Sequence, residues 1–105
     1  MNQTIKLAQS RCYVPTFLDG DGIILVSVKI DLEDIRLLEY TLIQKWLRVK
    51  CEISADIKKS IVGVGKYHYS IWGVNDLKCY VRYSKRFRNY EYTFEQGLIE
   101  AIKLI

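Results

Sequence analysis

Apolar positions along this chain change their period several times, and each change marks an element. Ile23–Val26 is continuously apolar and the positions after it alternate to Ile30, which predicts a strand over Gly22–Ile30, buried on both faces at its start. Asp31 then heads a stretch in which Ile35, Leu38, Leu42, Trp46 and Leu47 keep a helical spacing, so a helix is expected with Asp31 as its cap. Glu33 and Asp34 in its first turn and Lys45 and Arg48 in its last suit the helix dipole. Val49–Ala55 alternates, with Cys51, Ile53 and Ala55 on one face and Lys50, Glu52 and Ser54 on the other. Lys58-Lys59-Ser60 and Gly63-Val64-Gly65 read as turns. Lys66–Trp72 alternates again, setting Tyr67, Tyr69 and Ile71 opposite Lys66, His68, Ser70 and Trp72. Asn75 starts a helix carrying Leu77, Tyr80 and Val81. Thr93 with Gln96 makes a capping box for a last helix that buries Phe94, Leu98, Ile99, Ile102 and Ile105.

The chain's beginning is harder to place. A first helix is expected over about Thr4 to Leu18, but Pro15 inside it removes a backbone hydrogen bond and costs about 3 kcal/mol in a regular interior. Either that helix kinks at Arg11–Cys12, or its regular part starts near Val14 with Pro15 in the first turn. The expected order is α-β-α-β-β-α-α. That is an α+β fold, a small antiparallel sheet with helices packed on one face, in one domain over residues 1–105.

Half of the 105 residues are hydrophobic and one is proline, enough to bury a core and too few polar residues for disorder. Sixteen basic residues against twelve acidic leave a net charge of +4, a mild balance compatible with a polyanionic partner. Cys12, Cys51 and Cys79 are odd in number and widely spaced, so neither a zinc site nor a disulfide framework is expected. They read as reduced, mostly buried thiols of a reducing compartment. The N-terminal residues lack an apolar signal region, and no apolar run is long enough to span a membrane, so an intracellular location without a membrane partner is expected.

Candidate chemistry concentrates at residues 13–22, Tyr-Val-Pro-Thr-Phe-Leu-Asp-Gly-Asp-Gly. Two acids stand where a helix is expected to end, a position the dipole disfavours by a few tenths to about 1 kcal/mol. Acids gathered against that preference would suit a divalent cation facing a phosphate. A calcium loop is excluded, because Ile23 occupies the next ligand position. Asp19 reads as a local hydrogen-bonding residue.

Val14 to Gly22 resembles the signature of the LAGLIDADG homing endonucleases. It is identical at Asp19, Asp21 and Gly22, similar in character at Val14, Phe17, Leu18 and Gly20, and different at Pro15 and Thr16. The order of the elements after it is also similar to the family's single-motif domain, so the resemblance covers nearly the whole chain. Too few residues separate Gly22 from Asp31 for the family's two strands, so a shortened first hairpin is expected. The resemblance implies a homodimer through the signature helix, with Val14, Pro15, Phe17 and Leu18 at the interface. It implies Mg²⁺ (or Mn²⁺) held at Gly20 and Asp21, with Asp21 and Lys85 as catalytic residues. The implied substrate is duplex DNA at a near-palindromic site.

Arg82, Lys85, Arg86 and Arg88 form the densest basic cluster, interleaved with Tyr83, Phe87 and Tyr90. Lys50, Lys58, Lys59, Lys66 and His68 are candidates for a groove-facing sheet surface. His68, the sole histidine, has no nucleophile beside it in sequence and is not read as catalytic. Tyr90 and Tyr92 either stack on bases or cover the core. A second reading keeps the fold without cleavage, as a nucleic-acid-binding module such as a degenerate endonuclease or a maturase-like binder of intron RNA. A third is an interaction domain with no nucleic-acid partner.

Overall fold

Leu32–Lys50 carries no glycine or proline and is bounded by Asp31 and Cys51, and it forms the long helix around which the rest is built. The computed structural model describes residues 2–27, 29–61 and 65–105. Its elements are α1 (Gln3–Ser10), α2 (Leu32–Lys50), β1 (Ile53–Lys59), β2 (Tyr67–Gly73), β3 (Cys79–Val81) and α3 (Tyr90–Ile102). The strands make one antiparallel sheet in the order β1-β2-β3. The fold is α+β, as expected, though the order of elements differs.

Pairing in the β1–β2 hairpin sorts its side chains by face, because residues directly opposite each other point the same way. Ile53 faces Gly73, Ala55 faces Ile71 and Ile57 faces Tyr69 on the side that α2 and α3 cover. Ser54 faces Trp72, Asp56 faces Ser70 and Lys58 faces His68 on the other side. The alternation expected for residues 66–72 is the one observed. Gly97 lets α3 lie close: a Cβ there would stand 3.1 Å from the Tyr69 Cβ and 3.2 Å from the Ile57 Cδ1.

The buried stripe of α2 is Ile35, Glu39, Tyr40, Ile43 and Leu47, turned away from the expected one. Leu38 is exposed, and Leu42 and Trp46 are half-buried. An apolar count skips a glutamate, yet Glu39 is fully buried. Asp31 holds the cap position without a side-chain cap bond. In α3 the cap is Asn89, whose Oδ1 accepts from the Tyr92 N–H at 2.8 Å. The expected capping residue Thr93 lies inside the helix, buried, its hydroxyl donating to the Asn89 carbonyl at 2.7 Å. Ile105 lies beyond α3 and is exposed.

Other expectations are corrected. First, α1 stops at Ser10 and no helix covers Val14–Leu18. Cys12 adopts a left-handed φ of 74°, the Tyr13 N–H bonds the Ala8 carbonyl, and the Cys12 N–H bonds the Gln9 carbonyl. Those paired bonds over a left-handed residue are a Schellman stop, and Pro15 follows it. Second, 22–30 is not a strand. Leu18 bridges Ile24, and Ile23, Ile24, Leu25 and Val26 are all exposed; Val28 lies outside the described residues. The pairing with 17–19 stops at one bridge flanked by the Asp19 N–H to Ile23 carbonyl and Leu25 N–H to Phe17 carbonyl bonds, because the N–H groups of 16–18 donate to Glu39.

Third, α2 continues to Lys50, so β1 starts only at Ile53 after left-handed Glu52, and Lys58 and Lys59 belong to the strand rather than a turn. Of the expected Gly63–Gly65 turn, Gly63 and Val64 lie outside the described residues, while Gly65 has φ +72°. Fourth, Asn75 opens no helix. The Gly73 N–H bonds the Lys78 carbonyl and Asp76 Oδ1 accepts from the Lys78 N–H, closing a β2–β3 turn through left-handed Leu77. Cys12 and Cys79 are exposed and Cys51 half-buried, so the thiols are not mostly buried.

The Glu39 carboxylate ties the first third of the chain to α2. It accepts from the backbone N–H groups of Thr16, Phe17 and Leu18 and from the Tyr13 hydroxyl. Removing it strands donors that include the buried Leu18 N–H and Tyr13 hydroxyl, each costing about 1–3 kcal/mol. Glu39→Ala should therefore lower the unfolding free energy by at least about 3 kcal/mol in urea titrations and expose 11–31 to proteolysis. Burial first, then Glu39, raises the pKa of Tyr13; burial, with Glu95 opposed by Asn2, raises that of Tyr40. Folded protein thus keeps protons that the unfolded chain releases above about pH 10, so this stability is full below that pH and declines above it. Tyr13→Phe should flatten the alkaline decline in a denaturation series across pH.

Candidate nucleic-acid interface

Two regions carry the sequence-predicted site residues, and the fold treats them differently. In the Asp19–Gly22 turn, Asp19 Oδ1 accepts from the Asp21 N–H and the Ile23 N–H, both at 2.9 Å. Asp19 is the local hydrogen-bonding residue expected. Gly20 is buried against α1, where a Cβ would lie 2.4 Å from the Lys6 Cγ, and its carbonyl accepts from the Asn2 N–H at 2.8 Å. Asp21 pairs with Lys6 at 3.2 Å, both side chains well exposed. Among the described residues no group of three or more His, Cys, Asp or Glu is arranged to hold a metal ion. The Asp21 carboxylate faces solvent, where a cation would compete with Lys6 for it.

The four residues expected at a helical dimer interface do not share a surface. Leu18 is fully buried in the chain's own core and Phe17 packs against that core. Val14 is 80% exposed, and Pro15 is half-buried. A pairing of signature helices has no helix here to use.

The basic candidates divide by strand register. Lys58 and His68 are opposite each other on the face away from the helices, and Ser70 on that face donates its hydroxyl to the Arg82 carbonyl at 2.7 Å. Past β3 the chain continues beside β2: the Ser84 N–H bonds the Tyr69 carbonyl, and Phe87 exchanges both backbone bonds with Tyr67. Tyr83 is carried along with it. Its ring meets His68 edge-on at 5.4 Å between centroids, and the Arg82 guanidinium stands 5.6 Å from it.

Two recesses open on this side, both lined by Tyr83. One, of about 420 Å³, is lined by Lys58, Ser70, Trp72, Cys79 and Arg82. The other, of about 350 Å³, is lined by Ser60, Ile61, His68, Ser84 and Arg86. Asp56, opposite Ser70, is the one carboxylate on this face of the β1–β2 pair; it accepts from the Ser54 hydroxyl at 3.3 Å.

Lys58, His68, Arg82 and Arg86 are thus brought together. Lys66 flanks the hairpin end, its carbonyl accepting from the Ser60 N–H. Lys59 is opposite Tyr67, on the helix side by register. Lys85 stands 5.6 Å from the Phe87 ring, which stacks on Tyr69 and meets Tyr92 of α3, and Arg88 is exposed two residues before α3. Lys50 lies at the other end of the sheet, with Ile53 and Leu104 around it. Tyr90 and Tyr92 are both exposed on one side, Tyr90 edge-on to Tyr67 and to Phe94 of the core, and Tyr92 edge-on to Phe87.

Sequence reasoning missed Trp72 and Tyr83 as site residues, although the alternation already set Trp72 with His68 and Ser70. No family model matches the chain, and neither the curated proteins nor the solved structures contain a match. No helix among the described residues is long and apolar enough to cross a membrane.

The two aspartates should respond differently to substitution. Asp21→Asn removes only an exposed ion pair and should change stability by less than about 1 kcal/mol. Asp19→Ala removes two turn bonds and should cost about 1–2 kcal/mol in the same urea titration.

Proposed function

We propose that the chain is a nucleic-acid-binding module whose working surface is the outward face of the sheet. The observation that carries this reading is the register that sets Lys58 against His68 on the face away from the helices, with Arg82 lining the same recess as Lys58. Among the described residues neither Lys58 nor Arg82 is held in an ion pair, although Asp56 shares the face of Lys58. Cations on a sheet, with aromatic rings between them, suit a phosphate backbone and its bases. The same face would serve DNA or an intron RNA.

Metal-dependent cleavage of duplex DNA by a homodimer is the second reading. It rests on the exposed carboxylate of Asp21 in the Asp19–Gly22 turn, to which Mg²⁺ or Mn²⁺ would bind, and on the resemblance of that turn to the endonuclease signature. It requires the two Asp21 carboxylates to meet by a route other than paired helices over Val14–Leu18.

Binding should be strongly salt-dependent. Lys58→Ala combined with Arg82→Ala should weaken binding to DNA and RNA of unrelated sequence about equally. The slope of log K against log salt should flatten by about 0.7–0.9 for each lost contact. An unchanged slope would place the binding surface elsewhere. Incubating supercoiled plasmid with the wild-type protein and Mg²⁺ or Mn²⁺ separates the two readings: nicking that disappears in Asp21→Asn would establish the enzyme, and binding without nicking the module.

A further inference from the structure

Resting on the nucleic-acid reading, we infer that the sheet face is a stacking platform for single-stranded nucleic acid, with Trp72 and Tyr83 as the base-contacting rings. A duplex hides its bases from such a surface, because their faces are stacked on one another and only their edges reach the grooves. Rings on an open sheet can pair with bases only when the bases are splayed out.

The geometry matches that demand in three ways. The rings are accessible: Tyr83 is 66% exposed, and Trp72 is half-buried on the outward side of β2, opposite Ser54. A small residue across the strand leaves space over the indole. Each ring also borders a recess, Trp72 in the one of about 420 Å³ and Tyr83 in both. These are shallow hollows bounded by a flat ring, suited to a planar base rather than to a groove-filling helix. Finally, a cation accompanies each ring, Lys58 and Arg82 beside Trp72, and Arg82 5.6 Å from the Tyr83 centroid. Phosphates on either side of a stacked base would meet these charges. His68 and Trp72 lie four residues apart on β2, so the platform runs about 13 Å along the strand at a rise of about 3.3 Å per residue. That length accommodates more than one base, and the two recesses lie along it.

Tyr83 also has a device that holds its ring in place. The His68 imidazole meets it edge-on at 5.4 Å, and its backbone is fixed by Ser70 bonding the preceding carbonyl and Tyr69 bonding the following serine. An exposed tyrosine so held loses little further freedom when a base lands on it.

The test is fluorescence polarisation with a labelled thymidine oligonucleotide of about ten residues and with the same strand annealed to its complement. Wild-type protein should prefer the single strand. Tyr83→Ala and Trp72→Ala should each weaken single-strand binding about tenfold or more, leave duplex binding within about twofold, and Trp72→Phe should restore it. Tyr83 is solvent-exposed, so its variant folds and carries the test if Trp72→Ala does not. Equal loss of both forms, or no loss of either while Lys58→Ala/Arg82→Ala weakens both, overturns the platform and leaves the charged surface standing. Absence of binding to both forms at low salt overturns the nucleic-acid reading together with it.

Discussion

One buried carboxylate organises a third of this molecule. Glu39 lies in the middle of α2 with no exposed surface, and four donors from a single stretch, Tyr13 to Leu18, converge on it. A charged group taken from water costs several kcal/mol unless its lone pairs are occupied, and here backbone N–H groups occupy them. The reciprocal holds too. The 16–18 backbone is left out of any helix or sheet and would have donors without acceptors if Glu39 were absent. Each side resolves the other's desolvation. Once 16–18 is pinned, Leu18 joins the core cluster that also holds Ile5, Ala8 and Tyr40, and the Asp19–Gly22 turn follows directly behind it.

This arrangement has a consequence for the acidic turn. In a helix that ran through Val14–Leu18, the aspartates would close its C-terminus and could meet a second copy. The Schellman stop after Ser10 and the grip of Glu39 place them instead against α1, where Lys6 answers Asp21 and Asp19 serves its own turn. Two negative charges there no longer oppose a helix dipole. What read as an electrostatic conflict along the sequence is relieved by the way α1 ends.

The sheet acquires its two characters from α2 and α3. Both helices cover one face, through Gly97 against Tyr69 and through the aliphatic row Ile53, Ala55 and Ile71. Nothing among the described elements covers the other, where the register lines up polar, basic and aromatic side chains. A face that carries aromatic rings among cations outside any ion pair is poorly suited to a core and well suited to a solvated polyanion with planar groups. The proposed function follows from that asymmetry more than from net charge, which at +4 is ordinary.

The local pattern of residues determined the long helix from Asp31 onward, the alternation of 66–72, the α3 core of Phe94, Leu98 and Ile102, and the α+β class. Each of these depends on periodicity or capping within one element, which neighbouring residues carry. The local hydrogen-bonding role of Asp19 was legible for the same reason, since its partners lie two and four residues on. Tertiary structure decided the rest. Glu39 is buried because of donors more than twenty residues away, which no helical pattern contains. Ile23–Val26 reads as a strand by its apolar run, but a strand needs a continuous ladder, and the N–H groups of the chain it bridges were already bonded to Glu39. The convergence of Lys58, His68 and Trp72 likewise exists only after β1 and β2 are paired, because strand register, not spacing in the chain, sets which side chains share a face, and Arg82 and Tyr83 reach them only once the chain beyond β3 is laid beside β2.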